Sequence, residues 1–301
     1  MSSAGQLIAI LSLFTLQRPS WSAPEAGAAL GFSRASAYRY FSLLTGAGLI
    51  NDAAGHEYTL GPRIVELDRQ IRLGDPLVQA AVDEMLALTR ASGGTALLCR
   101  LYNQRVLCVH QERGQRPLGG VSYERGRAMP LYRGATSRVI LAQLSVVELE
   151  RLIHGHRAEM LRAGLPRTAR ALHALLAPVR EARACVAYGE VDPNRCGVAV
   201  PICAGAEVIG SLSLVLPAAE AKGRLLKNAQ QSVIAAGLRI EAELEAGEMR
   251  SAKRPHLSRG SAAVGKSAPK RLAAVTRRSA KSPVNATSGH ADPRTAHKTT
   301  P

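Results

Sequence analysis

The chain has 301 residues, 46% of them apolar, with 39 Lys and Arg against 23 Asp and Glu for a net charge of +16. That length accommodates about two domains and enough apolar residues for a sizeable core, which excludes a chain that is unfolded throughout. The charge is uneven: residues 250–301 hold twelve of the bases and a single acid, Asp292, so most of the basic excess, +11 of the +16, belongs to the C-terminal segment and only +5 to the part expected to fold.

The first apolar run predicts a helix over residues 5–17, stopped near Pro19. Its core, "LIAILSLFTL", has the length of a signal-peptide core. No Lys or Arg precedes it, however, and ten apolar residues are too short to span a bilayer, so neither export nor a membrane partner is expected. Ser22 and Glu25 have capping-box spacing and open a short helix to about Leu30, where Gly31 ends it. Ser33 then caps a third helix to about Thr45, broken by Gly46 and Gly48. "LINDAAGHEYTLG" reads as two short strands around a turn at Ala53–Gly55. Three short helices followed by a hairpin is the order of a winged helix-turn-helix, assigned to residues 1–61. Pro62 opens a further helix to Gly74, assigned as a linker (62–74).

From Asp75 the texture changes. A helix over about 76–91 leads to "TALLCRLYNQRVLCVHQE", a hairpin turning at Asn103-Gln104. Ser145 and Glu148 cap another helix, and more helix is expected over about 168–184. "GVAVPICAGAEVIGSLSLVLP" gives two strands around Ala204–Ala206, and a long helix over about 221–246 closes the domain. Strand hairpins separated by helices make residues 75–249 an α+β domain with a largely antiparallel sheet. Residues 250–301, rich in Ala, Ser, Lys, Arg and Pro, cannot bury enough surface to fold. Their role is open between holding DNA by charge and none beyond a solvated extension.

On the third helix, steps of 100° place Ala37, Tyr40, Phe41 and Leu44 on one side as a core stripe. The other side carries Ala35, Tyr38, Arg39 and Ser42, flanked by Arg34 and Ser36, with Ser33 at the cap. Such a face fits either a solvated helix or a reader of double-stranded DNA. Small residues permit close approach, and arginine and hydroxyls meet bases and phosphates. The preceding helix, the glycine turn and the hairpin supply the frame a reader needs. Residues 1–73 nevertheless hold six bases and five acids. A module so nearly neutral binds weakly alone, which calls for a dimer on a roughly palindromic site.

Other chemistry is sparse. The five cysteines form no Cys-x-x-Cys pair, an odd and dispersed set that suits reduced thiols in the cytoplasm. His154 and His156 lack a third ligand, so no metal is expected, and no cofactor motif is present. No nucleophile elbow or phosphate loop appears, so an enzyme is not expected. Ser211 and Ser213 alternate with Leu212 and Leu214 along one strand, so a hydroxyl row faces either nearby backbone or a polar ligand. Gly134, Ala135, Thr136 and Ser137 open a helix whose N–H groups could receive a carboxylate. Arg125 and Arg127 fit either an acidic ligand or a solvated face.

Five blocks in order resemble the IclR-type bacterial transcriptional regulators. These are "LGFSRASAYRYFSLL" with "GLI" and "EYTLGPRIVELD", then "ASGGTALLCRLYNQRVLCV", "RAMPLYRGATSRVILA", "AYGEVDPNRCGVAVPI" and "GSLSLVLP". The resemblance covers about residues 5–246. It implies a winged helix joined by a linker helix to a GAF-like effector domain, assembled as dimers or tetramers and controlled by a small organic acid. It also implies an effector pocket bounded by Tyr132, Gly134, Ala135, Thr136, Glu190, Cys196, Ser211 and Ser213, with Cys196 equally readable as a buried thiol. Tyr132 stands where the family commonly has histidine, and Ala135–Arg138 replaces the family's small-residue run before a lysine. The competing expectation is a ligand-binding or scaffold protein whose helix-turn-helix mediates protein contacts.

Overall fold

The structure, a computed structural model, describes residues 3–115 and 121–252. Helix α1 covers Ser3–Leu11, six residues short of the helix expected from the apolar run. The chain turns back because backbone acceptors are claimed from outside the helix: the Trp21 indole N–H donates to the Leu13 carbonyl at 2.9 Å. Thr15 N–H donates to the Arg18 carbonyl at 3.1 Å, and Arg18 N–H donates to Thr15 Oγ1 at 3.1 Å. Trp21–Ser22 then forms a two-residue strand, β1, which the sequence reading missed.

Helix α2 (Ala23–Leu30) carries the expected capping box at Ser22 and Glu25, and Gly31 closes it at φ 71°. Helix α3 (Arg34–Gly46) is capped by Ser33, whose hydroxyl accepts from Ser36 N. Strands β2 (Ile50–Ala53) and β3 (Glu57–Leu60) follow, and the three strands form an antiparallel sheet in the order β1-β3-β2. Ile10, Trp21, Ala37, Tyr40, Phe41, Leu44 and Ile50 fill the core between them. Helix α4 (Pro62–Gly74) comes next and buries none of its thirteen residues.

Helix α5 (Pro76–Ser92) starts at an Asp75 cap. Strands β4 (Thr95–Tyr102) and β5 (Arg105–Arg113) pair around Asn103 and Gln104, both at positive φ as a tight two-residue hairpin requires. Strand β6 (Ala128–Pro130), α6 (Gly134–Leu141) and α7 (Val146–Arg162, with the expected capping box at Ser145 and Glu148) follow. The helix expected over about 168–184 is divided into α8 (Ala169–Leu175) and α9 (Ala177–Ala182). The break falls where Pro178, lacking an N–H, must begin a new first turn. Strands β7 (Cys185–Tyr188), β8 (Arg195–Ala204) and β9 (Glu207–Pro217) complete a six-stranded antiparallel sheet ordered β6-β5-β4-β9-β8-β7. Helix α10 runs from Gly223 to Ala252, past the boundary expected at 250. Residues 253–301, the segment expected not to fold, lie outside the described residues.

Strand alternation sorts this sheet's side chains between two cores. Leu98, Val198, Leu212 and Leu214 pack against α5 and α10. Leu97, Cys99 and Val215 face the other way, toward the helices between β6 and β7. Close packing in mid-sheet depends on Gly210, where an added Cβ would stand 2.0 Å from the Cys99 carbonyl oxygen of β4.

Candidate functional site

Two features are candidates for contact with other molecules. On α3, Ala37, Tyr40, Phe41 and Leu44 are buried, while Ser33, Arg34, Ala35, Tyr38, Arg39 and Ser42 are exposed and Ser36 is half-buried. The Arg39 guanidinium lies 5.1 Å from the Tyr40 ring centroid and donates to the Tyr40 hydroxyl at 3.3 Å. Arg34 lies 6.0 Å from the Tyr38 ring. The exposed face carries two cations, an aromatic ring and hydroxyls, and no acid.

The second feature is a cavity between the sheet and the start of α6. Gly134, Ala135, Thr136 and Glu190 border it, as the sequence suggested. Leu97, Val121, Tyr123, Ala187, Asp192, Arg195, Gly197 and Val215 complete most of its wall. Sequence reasoning did not single these out: nothing marks an apolar strand residue such as Leu97 or Val215 as facing a cavity rather than a core, and loop residues such as Tyr123 and Asp192 are brought there only by the fold. The cavity is partly open and holds about 40 Å³, room for water and not for a ring, since one water needs about 10–15 Å³.

The remaining expected residues fall elsewhere, each for a geometric reason. Cys196 packs with Leu98, Val198 and Leu212 on the opposite face of the sheet. Its neighbour Gly197 borders the cavity, and alternation along β8 forbids both from doing so. Tyr132 lies in an outer cleft with Arg133, Arg138 and Arg162, its ring 6.2 Å from that of His156. Ser213 stands one bond behind the cavity wall, its hydroxyl 2.9 Å from Thr136 Oγ1. Ser211, fully buried, is two residues further along the same face, and its hydroxyl has no hydrogen-bond partner among the described residues.

The seat at the start of α6 is taken by the chain's own carboxylate. Gly134 N–H donates to Glu190 Oε2 at 3.1 Å, and Glu190 Oε1 lies 2.8 Å from an Arg138 nitrogen. Glu190 also borders the outer cleft, so this one residue lines both cleft and cavity. Gly134 adopts φ 79°, and a Cβ there would meet Val191 at 2.8 Å. Bulkier residues are thereby kept from the seat. Tyr123 donates its hydroxyl toward the Arg133 carbonyl (3.3 Å) and lies 3.1 Å from Ser137 Oγ. Burial pushes its phenol far above the usual range, so it stays a neutral donor.

Arg125, which the sequence left between an acidic ligand and a solvated face, grips Asp68 of α4 through both oxygens at 3.1 and 2.5 Å. The hydrogen bond from Arg125 and then its charge hold the Asp68 carboxyl below its ordinary value, against the opposing effect of burial. Among the described residues there is no group of three potential metal ligands, and no helix is long and apolar enough to cross a membrane.

Residues 74–242 match the sequence pattern of the family described as bacterial transcriptional regulator IclR C-terminal. The HTH-type transcriptional regulator XynR of Escherichia coli K12 is 25% identical over 247 residues, 81% of this chain and 97% of that protein. Among solved structures, an IclR transcriptional regulator from Silicibacter superposes with a TM-score of 0.67 at 20% identity, covering 81% of this chain and 96% of that one. An IclR homolog from Microbacterium hydrocarbonoxydans, complexed with 4-hydroxybenzoate, superposes at 0.66 with 21% identity, covering 81% of this chain and all of that one.

Proposed function

The chain belongs to the IclR family of bacterial transcriptional regulators, and is a regulator rather than an enzyme; on that premise we propose that it reads double-stranded DNA through α3 and answers to a small organic acid bound beside α6. Residues 1–61 form the winged helix-turn-helix, 62–74 the linker, and 75–249 a GAF-like effector domain. The observation that carries the DNA reading is the exposed face of α3, which offers Ser33, Arg34, Ala35, Ser36, Tyr38, Arg39 and Ser42 without an acidic residue. Ser33 and the capped α2 fix the angle at which that face is presented.

The test is fluorescence anisotropy on DNA from around its own gene, with random DNA as competitor, using the full chain and a chain ended after Ala252. Saturable binding by the shortened chain that survives competitor is the expected result. Arg39→Ala should weaken specific binding by about 1–3 kcal/mol. Binding that appears only with the basic segment present would mean attraction to polyanions alone, and the protein-contact alternative would then lead.

A near-neutral reading domain needs two copies, and α4 supplies an argument for self-association. Val65, Ile71 and Leu73 are 69%, 58% and 56% exposed on a helix with no buried residue, apolar side chains on more than one side of the helix that neighbouring chains would cover. Replacing Val65 and Ile71 together by aspartate is expected to shift the protein from dimer or tetramer toward monomer in light scattering. An unchanged mass would move the interface off α4.

The acid is seated where Glu190 now lies, on the Gly134 N–H and Arg138, with Ala135, Thr136 and, behind it, Ser213 along the route inward. Support comes from the donors converging there, from the cavity behind them, and from the 4-hydroxybenzoate held by a protein of the same fold. Tyr132 serves at the outer cleft, Ser211 as a deeper hydroxyl, and Cys196 as a buried thiol of the opposite face.

A further inference from the structure

The cavity and α4 are joined by one short piece of chain. Residues 121–127 belong to no helix or strand, yet both ends of the segment are committed. Val121 and Tyr123, each only 4% exposed, form part of the cavity wall. Between them Ser122 gives its N–H to Asp192 at 3.0 and 3.2 Å and its hydroxyl to the same carboxylate. Three residues on, Arg125 holds Asp68 with two nitrogens and gives its Nε to the Val109 carbonyl at 2.9 Å. Internal hydrogen bonds from Glu124 N–H to Ser122 and from Arg127 N–H to Glu124 keep the two ends in fixed relation.

From this geometry we propose that residues 121–127 are a strap that carries the state of the cavity to α4 through the Arg125–Asp68 ion pair. The inference rests on the effector reading above for its purpose, but not for its mechanics. A space of about 40 Å³ must enlarge before it admits a ring. The walls that resist are strand residues such as Leu97 and Val215, locked in the β4–β9 ladder. The wall that yields is the cavity end of the strap, residues 121–123, which lies outside any strand pairing; the other end is pinned to β5, where Gly126 N–H donates to the Cys108 carbonyl at 2.9 Å and Cys108 N–H to the Arg127 carbonyl at 3.4 Å. When Val121 and Tyr123 move outward, the strap turns about its anchor on β5 at Gly126, and Arg125, the residue beside that anchor, is drawn off Asp68. The pair is about one-third exposed on both sides, so it is weak enough for a modest gain at the cavity to break it. Asp68 keeps a second partner, Arg72 at 3.2 Å, so no charge is stranded when the strap lets go. α4 is then released at mid-length.

Coupling between two sites is reciprocal, so disturbing the α4 end must be felt at the cavity. The experiment is amide hydrogen exchange by mass spectrometry on the full chain with neither DNA nor ligand added, comparing the parent with Asp68→Asn, Arg125→Gln and the double variant. Asp68→Asn, made outside the cavity on an exposed and isosteric side chain, is expected to speed exchange about fivefold or more in peptides covering 121–127 and 186–195. Arg125→Gln should do the same, and the double variant should do no more than either alone. Asp192→Asn, from the cavity end, should speed exchange in 62–74. Change confined to 62–74 in Asp68→Asn, or effects that add in the double variant, would overturn the strap. Because DNA and ligand are absent, that failure is separable from failure of the regulator reading, which the Arg39→Ala binding assay addresses.

Discussion

Replacing Phe41 by alanine is expected to destabilise the N-terminal module by about 3–5 kcal/mol, the cost of emptying a fully buried aromatic site, and to abolish specific DNA binding with it. Phe41 is wholly buried on α3. It meets the Tyr58 ring of β3 edge-on at 4.8 Å between centroids, so one side chain fixes the helix against the sheet. The core it belongs to is small, nine buried residues from Ile10 to Ile50, and a module of that size has only a few kcal/mol to lose. Urea denaturation followed by tryptophan fluorescence is the direct measurement, because the single Trp of the chain, Trp21, lies in this core. A midpoint unchanged within about 1 kcal/mol would mean that the core closes over the gap, and that α3 does not depend on Phe41 for its place. Loss of DNA binding with stability unchanged would instead put Phe41 in the contact itself, contrary to its burial.

Why this module was legible in sequence, and the cavity only partly, has a physical reason. Ser22, Gly31 and Ser33 act on their own neighbours within three or four residues, so their spacing alone sets the ends of α2 and α3. The stripe Ala37, Tyr40, Phe41, Leu44 is likewise local, a matter of helical period. The early end of α1 was missed because the Trp21 indole acts across eight residues, on the Leu13 carbonyl, and a bond of that kind leaves no periodic trace. The cavity depends on contacts of longer range still. Glu190 reaches Gly134 across 56 residues, Asp192 reaches Ser122 across 70, and Arg125 finds Asp68 across 57. A family resemblance can point to Glu190, but it cannot say that the carboxylate already fills the seat. The two readings of Cys196, pocket residue or buried thiol, stayed open in the sequence for another reason. Alternation along "NRCGVAV" fixes that Cys196 and Gly197 face opposite ways, and only the folded sheet says which of the two faces the cavity.

Glu190→Gln is expected to tighten the binding of small carboxylic acids by about 10–100-fold. In the parent protein an acid entering from the outer cleft must displace one carboxylate from Gly134 N–H and from Arg138. A hydrogen bond to a charged group contributes about 1.5–3 kcal/mol, and each 1.4 kcal/mol is about tenfold in affinity. Glutamine keeps the shape and a neutral acceptor for Gly134, while its weaker bond and lost charge yield the seat more readily. Arg138, no longer neutralised at 2.8 Å, then offers an incoming anion a free cation. Calorimetric titration with 4-hydroxybenzoate, and with its uncharged amide as control, reads the effect: the acid should gain and the amide should not. Equal gains would mean that the substitution merely loosened the wall near Val191. Weaker acid binding in the variant would mean that Glu190 takes part in holding the ligand, through a shared proton or a bridging water, and that the resident carboxylate is a partner of the effector and not its competitor.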